Sequence, residues 1–426
     1  MSERPADSWY EATARRDAPL PALEGDIQAD VCVVGAGLSG CSTALHLAKR
    51  GYKVVVLEAE RIGYAASGRS GGQIIPGWAG GMDKIAGQLG KADAKRVWDF
   101  SIEGIELTRE LIERNRIDCD LAWGHVHAAL KPRQRLELLD MQRGQEGEFG
   151  YRKLRFMERA ETESWIASKR YIAGLYDAGA GHVHPLRYTL GVGRAAIAAG
   201  AQVFENSEVT GLTYGPTATV KTAKGSVRAK FVALCANVGH VGLSDRLARK
   251  LIGVASYVVA TKPLGEARAR ALLKDNIAVA DLNWIIDYYR LSADQRMLFG
   301  GRVSYSGIDP LGTTRATRQR MLNVFPQLAD VEIDYAWGGM IDITMSRLPN
   351  FGRLEPNVYY LQGYSGHGMV ATTIAGRLAA EAIAGQAERF DVMARIRHHD
   401  FPGGRLLRRP TLVMAMTWFR LRDLLP

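Results

Sequence analysis

The segment Gly35-Ala36-Gly37-Leu38-Ser39-Gly40 constrains this chain more than any other. It follows the apolar run Asp30-Val31-Cys32-Val33-Val34. It opens a stretch, Leu38 to Arg50, in which Leu38, Cys41, Ala44, Leu45 and Ala48 recur at helical spacing. Gly51 ends that stretch, and Lys53-Val54-Val55-Val56-Leu57-Glu58 returns as a β-branched strand. Strand, glycine turn, helix, strand is a βαβ unit. The first glycine allows the tight turn, the second lets the backbone approach a pyrophosphate, and the third lets the helix pack on the strand. The helix N-terminus presents unpaired N–H groups and a positive dipole end to phosphates. Glu58, at the end of the second strand, can accept both hydroxyls of an adenosine ribose. The unit therefore points to a dinucleotide; a tight helix contact without a ligand is the bland alternative.

By itself this unit does not separate NAD from FAD. Glycine makes up 46 of the 426 residues, well above the ~7% of ordinary chains, and two further clusters bear on the choice. Ser67-Gly68-Arg69-Ser70-Gly71-Gly72-Gln73 follows soon after Glu58, where an NAD-binding unit more often continues into a helix and a third strand. Gly363-Tyr364-Ser365-Gly366-His367-Gly368 lies between a predicted strand and a helix beginning near Met369. Its N–H groups can face a second acceptor such as the pyrimidine edge of a flavin, although the same residues also suit a plain strand-to-helix turn. Elsewhere, residues 1–29 read as an irregular lead-in, 84–116 and 132–146 as helices, 201–236 as a meander of short strands, and 251–305 as strand-rich.

Composition narrows the classes. The 55 Lys+Arg against 45 Asp+Glu give a formal charge of +10, compatible with nucleic acid, an anionic membrane or an acidic ligand. The excess is concentrated between Arg395 and Arg422, and no zinc finger, basic region or RNA-binding signature accompanies it, so no nucleic-acid partner is expected. Cys32, Cys41, Cys119 and Cys235 form no C-x-x-C pair, which argues against a disulfide framework or zinc site. No metal is expected: His398-His399-Asp400 has ligand-like spacing but reads as part of an exposed basic tail. With no apolar leader and no window near 18 apolar residues, a cytoplasmic location is the expectation. The C-terminal "TLVMAMTWFRLRDLLP" fits a membrane-surface helix, but a segment packed on the protein is the favoured reading.

Taken together, "VCVVGAGLSG", "VVVLEAERIGYAASGRSGGQ", "GHVHPL", "IDYYRLSADQRMLFGGR", "RLPNFGR" and "YYLQGYSGHGM" resemble the FAD-dependent D-amino-acid-oxidase and sarcosine-oxidase superfamily. Within it the resemblance is closest to the bacterial γ-glutamylputrescine oxidases and γ-glutamylpolyamine oxidoreductases, and it runs from Trp9-Tyr10 to Phe401-Pro402-Gly403-Gly404. It implies an α/β fold: a Rossmann-like FAD-binding domain from 1–85, 160–235 and 335–395, and an α+β substrate domain on a mixed sheet from 86–159 and 236–334. Residues 396–426 are left as a basic tail. The resemblance also implies that Gly35, Ala36, Gly37, Leu38, Ser39 and Gly40 hold the pyrophosphate and Glu58 the ribose, with Ala59, Arg61 and Ala236 also on the cofactor. Ser67, Arg69, Ser70, Gly71, Gly72 and Gln73 run along it, Val209 meets the adenine through its backbone, and Gly363, Gly366, His367, Gly368 and Met369 border the flavin pyrimidine.

Three departures refine this picture. Some relatives attach FAD through a cysteine in the stretch that here reads "GGMIDITMSRLP"; none is present, so FAD is expected to be noncovalent. Gln73 stands where sarcosine-oxidase-type members carry an arginine for the substrate carboxylate, which suits an amine with no adjacent carboxylate. No lysine occurs near Met297-Leu298-Phe299, where those members place one to speed reaction with oxygen. The expected reaction is oxidation of the primary amine of a γ-glutamylated polyamine to an aldehyde, with release of ammonia and hydrogen peroxide, in polyamine catabolism. The alternatives are an FAD-dependent amine or D-amino-acid dehydrogenase using another electron acceptor, an NAD-dependent dehydrogenase, and a noncatalytic flavin-binding subunit. His367 and Gln73 lead the active-site candidates. Tyr257, Trp284, Tyr289 and Trp337 can line a slot for the aliphatic chain, and Arg302 and Arg347 can fork onto a distant carboxylate. Their ordinary alternatives are a backbone-bonded loop histidine, core aromatics and surface ion pairs.

Overall fold

A computed structural model describes residues 8–240, 242–304 and 312–402, with the backbone alone for 238, 240 and 302–304. The strand Gly25–Val34 lies between two parallel neighbours, Val54–Leu57 and Gly225–Leu234. Burial on both faces explains why its second half is an unbroken apolar run rather than an alternation. Val358–Gln362 and Gln202–Phe204 extend the parallel set, and Asn350–Glu355 adds an antiparallel edge. Gly25–Val34 starts five residues before the apolar run because Gly25 to Ala29 pair with Gly225 to Ala229, a long-range ladder with no local signature. The lead-in is also more ordered than expected: Ser8 Oγ accepts the Glu11 N–H at 3.0 Å and caps a short helix, Trp9–Thr13, that buries Trp9 and Tyr10.

Helix Leu38–Ala48 crosses helix Gly368–Ile383 where Gly376 faces Ser42, whose Oγ donates to the Thr373 carbonyl at 2.7 Å. Helix Lys91–Arg114 packs on the same partner, with Gly104 against Val370 and Ile374. The single helix expected over 84–116 is two, Met82–Leu89 and Lys91–Arg114, divided at Gly90, whose φ of 84° breaks the helical path.

The second sheet is mixed, as expected. Its strands run in the order Ile333–Ile343, Ile252–Thr261, Met297–Ser304, Tyr288–Leu291, Ala278–Asp281, Ala122–Ala129, Ala173–His182, Gln73–Ile74, with Leu154–Glu158 also against Ala173–His182. Among the described residues its one parallel pair is Ala278–Asp281 with Ala122–Ala129. This topology corrects the expected boundaries. Gln73–Ile74, Ala173–His182 and Ile333–Ile343 belong to the second sheet, whereas helix Lys91–Arg114 joins the first core. Composition carries no mark of these crossings, because each is made by a strand or helix of ordinary sequence. Val258, Leu298 and Trp337 of the second sheet share one apolar cluster with Val31, Val56 and Leu378. The other face of that sheet packs Val259, Tyr289, Phe299 and Phe325 beside helix Thr313–Val324.

Candidate active site

The first glycine loop is shaped by contacts that leave no room for side chains. A Cβ on Gly40 would stand 1.9 Å from the Gly35 carbonyl oxygen, and one on Gly35 would meet the Cys235 carbonyl and Ala236 Cα at 3.0 and 3.1 Å. Helix Leu38–Ala48 begins at Gly37, which has no side chain to cap it; Ser67 Oγ takes the Leu38 N–H, and no described side chain takes those of Ser39 and Gly40, which are left for an anion. Glu58 is drawn onto this turn: Oε2 accepts the Ala36 N–H at 2.6 Å and Oε1 the Glu60 N–H at 3.0 Å. Burial pushes its carboxyl above the ordinary range, and the two N–H donors oppose that rise. Ser207, whose N–H donates to the Glu58 carbonyl at 2.7 Å, brings the strand-end segment containing Val209 to the same edge.

The second and third glycine clusters meet. Ser67 Oγ accepts the Leu38 N–H at 2.9 Å, tying the second loop to the first helix. Gly72 has φ 73°, and a Cβ there would lie 2.1 Å from the Val183 carbonyl oxygen. Ser70 Oγ reaches Met369 Sδ at 3.5 Å, and His367 Nε2 lies 3.3 Å from the Ile75 carbonyl oxygen. A carbonyl only accepts, so Nε2 carries the proton and Nδ1 is left as an acceptor. Burial holds the His367 pKa below its ordinary value, and the ring is neutral at pH 7. The second sheet covers this junction. Trp337 Nε1 donates to the Arg69 carbonyl at 3.0 Å, Arg69 Nε donates to the Gly338 carbonyl, and Ile341 faces Gly366.

Other predicted residues are distributed unevenly. Gln73 is half-buried, its Nε2 donating to the Val279 carbonyl at 3.1 Å. Arg61 is held by Glu205 at 2.8 Å and by the Asp17 carbonyl at 2.9 Å, and Ala59 is exposed. Tyr257 alternates with Val258, so it stands on the far face of its strand, on the side of Val259. Tyr289 likewise stacks on Phe299 in the second core. Strand parity thus corrects the slot assignment of both tyrosines, and it is Tyr288 that turns toward Gly71. Trp284 lies under the Arg347 guanidinium, 4.9 Å from its ring centroid. The backbone of Arg302 pairs with Tyr257; its side chain lies outside the described residues, as does the tail beyond residue 402. His398 is half-buried, 3.1 Å from the Pro349 carbonyl oxygen, rather than part of an exposed tail.

Two residues escaped the sequence reading. Arg290, 2% exposed, donates to the carbonyls of Gly71, Val183 and Leu291 and to the Tyr10 hydroxyl. Asp342 accepts the Gly363 N–H, and its carboxyl is raised to about 6 by burial against the opposing pull of loop N–H groups. Neither is marked by a local motif. Among the described residues no cluster of three metal-ligating side chains occurs, all four cysteines are buried and free, and no helix is long and apolar enough to cross a membrane.

The model of the FAD dependent oxidoreductase family, DAO, matches residues 30–382. The chain belongs to the DAO family. The DAO-family chain is 43% identical, over 98% of both sequences, to the γ-glutamylputrescine oxidoreductase of Escherichia coli (strain K12). It is 38% identical to a probable oxidoreductase OrdL of Haemophilus influenzae, over 98% of this chain and 97% of the other. The glycine oxidase structure from Geobacillus kaustophilus shares the DAO fold, with a TM-score of 0.74 at 20% identity, covering 88% of this chain and 100% of that one. As a DAO-family member the protein is an FAD-dependent oxidoreductase acting on amines, which sets aside the NAD-dependent and noncatalytic alternatives. The helix that starts at Gly37, the turn that excludes any Cβ at Gly40 and the carboxylate at Glu58 fit the pyrophosphate and ribose of FAD.

Proposed function

We propose that this enzyme oxidises the terminal primary amine of a γ-glutamylated polyamine, with FAD held noncovalently by the residues around Gly35–Gly40, Glu58 and the two later glycine loops. The observation carrying the substrate class is the 43% identity, along 98% of both chains, to a γ-glutamylputrescine oxidoreductase. Gln73 supports it: an uncharged amide at this position supplies no ion pair for an α-carboxylate. The absence of cysteine from Gly338 to Pro349 supports a cofactor held by contacts alone.

Bound FAD supplies the acceptor for a hydride leaving the carbon next to the amine. The chain supplies position and environment. Trp337 and Tyr288 form an aromatic wall over the second glycine loop, and His367 offers a neutral acceptor nitrogen. The dehydrogenated amine then takes up water and yields aldehyde and ammonia. With oxygen as the final acceptor the balance is amine, water and oxygen to aldehyde, ammonia and hydrogen peroxide.

The test is anaerobic titration of the yellow holoenzyme with γ-glutamylputrescine, longer γ-glutamylated polyamines, free putrescine and a D-amino acid. The expected result is bleaching of the flavin absorbance by the γ-glutamylated amines at the lowest concentrations. Bleaching by the D-amino acid alone would overturn the substrate reading. Peroxide formed on readmitting air, compared with reduction of an artificial dye, separates oxidase from dehydrogenase.

A further inference from the structure

The strand Ala122–Ala129 carries two histidines onto the face that covers the glycine loops. His127 is paired with Ala280, Ala280 with Tyr288, Tyr288 with Gly300, Gly300 with Val258, and Val258 with Trp337. Residues in register across a sheet share a face. His127 therefore stands in one row with Tyr288, packed on Gly71, and with Trp337, bonded to Arg69. Ala280, its immediate neighbour in that row, is small. His367 of the third glycine loop is near enough to act on His127 electrostatically.

The His127 ring is half-buried and makes no hydrogen bond to another described residue. It meets the His125 ring edge-to-face at 4.5 Å between centroids. His125 is fully buried, and neither of its ring nitrogens has a partner. Leaving buried polar atoms unpaired is costly, and folded interiors rarely keep several together without a ligand or water to satisfy them.

We infer that His127, backed by His125, binds the reacting amine of the substrate in its neutral form, an assignment that rests on the amine-oxidation reading above. The titratable groups around His127 are His125 on its own strand, His367 of the third glycine loop and Tyr288 along the row; His125 is in turn paired with Asp177 across the sheet and acted on by His182, and no carboxylate acts on His127 among the described residues. Burial first, and then His367, hold its pKa at about 4, so the ring is an uncharged acceptor at neutral pH. A neutral imidazole can accept an amine N–H but cannot offset an ammonium as a carboxylate would, and a buried cation without a counter-ion is strongly disfavoured. The ammonium proton is left to bulk water on entry. The amine then arrives with the lone pair that assists hydride loss from the adjacent carbon.

The experiment uses the holoenzyme and a γ-glutamylated diamine whose amine-bearing carbon carries two methyl groups, so that no hydride can leave. Binding is followed by the flavin spectrum and by a pH indicator in weak buffer. Wild type should release about one proton per ligand bound at pH 8, and below the amine pKa of ~10 its Kd should fall about tenfold for each unit that the pH is raised. His127→Leu should bind roughly tenfold more weakly or worse, while His127→Gln, which keeps an accepting oxygen, should recover part of that loss; both should retain FAD. Binding by His127→Leu at the wild-type Kd, wild-type binding without proton release, or no wild-type binding overturns the assignment. The substrate reading itself fails separately, if the hydride-bearing parent amine does not bleach the wild-type flavin.

Discussion

Asp342 shows how a single buried carboxyl can hold a loop that the sequence marks only by its glycines. Its carboxyl takes the Gly363 N–H, its own carbonyl accepts the Ser365 N–H at 3.0 Å, and the Asn237 amide, oriented to donate, reaches both its oxygens. The folded carboxyl keeps its proton up to about pH 6, whereas the unfolded chain releases it near pH 4. Its contribution to stability is therefore full below pH 4 and is lost as pH rises through 6. Asp342→Asn removes that titration, so wild-type stability relative to the variant should fall by up to about 3 kcal/mol between pH 4 and pH 8. Urea unfolding of both proteins across that range measures it, and a pH-independent difference would refute it. A residue of this kind is hard to read in advance, because Asp342 lies on another strand and meets the loop only through the fold.

At the scale of elements, the first βαβ unit was legible because its signals are local: a buried strand, three spaced glycines, a helical stripe and a strand ending in an acid. The convergence of the three glycine loops was legible in outline for the same reason. What the sequence could not supply was parity and register. Tyr257 and Tyr289 are neighbours in sequence of Val258 and Tyr288, yet one step along a strand moves a side chain to the opposite face. The same period hid His127, whose row is set by five successive strand pairings. Glycines can be sorted by this logic. Gly40→Ala forces a Cβ to 1.9 Å from a backbone oxygen, so it should cost on the order of 3 kcal/mol or more and abolish FAD retention. Gly147, exposed in helix Pro132–Phe149 with nothing near its missing Cβ, should accept alanine with a gain of about 0.5–1 kcal/mol. Thermal unfolding and the flavin content of the purified variants decide both; a yellow, stable Gly40→Ala protein contradicts the close-approach account.

For the whole molecule, the question is what makes two sheets behave as one body around the cofactor. Part of the answer is the shared apolar cluster, in which Val258, Leu298 and Trp337 pack with the core of the parallel sheet. Arg290 adds direction to that contact. From one buried guanidinium it reaches the N-terminal helix at Tyr10 (3.2 Å), the second glycine loop at Gly71 (2.9 Å) and the segment after Ala173–His182 at Val183 (3.0 Å). These partners come from segments far apart in the chain, so no sequence motif announces them. A planar fork of donors satisfies several carbonyls at once, which a single ammonium cannot do from one position. Arg290→Lys should therefore behave as a severe change despite keeping the charge, with a loss on the order of 3 kcal/mol as buried carbonyls go unpaired. Because the lost bonds hold Gly71 beside Tyr288, the same substitution should weaken FAD retention and lower the extra thermal stability that added FAD confers on the apoprotein. Parallel melts of wild type and variant, with and without excess FAD, separate the two effects. An Arg290→Lys protein with the wild-type melting temperature and the wild-type response to FAD would show that the sheets are joined by apolar packing alone.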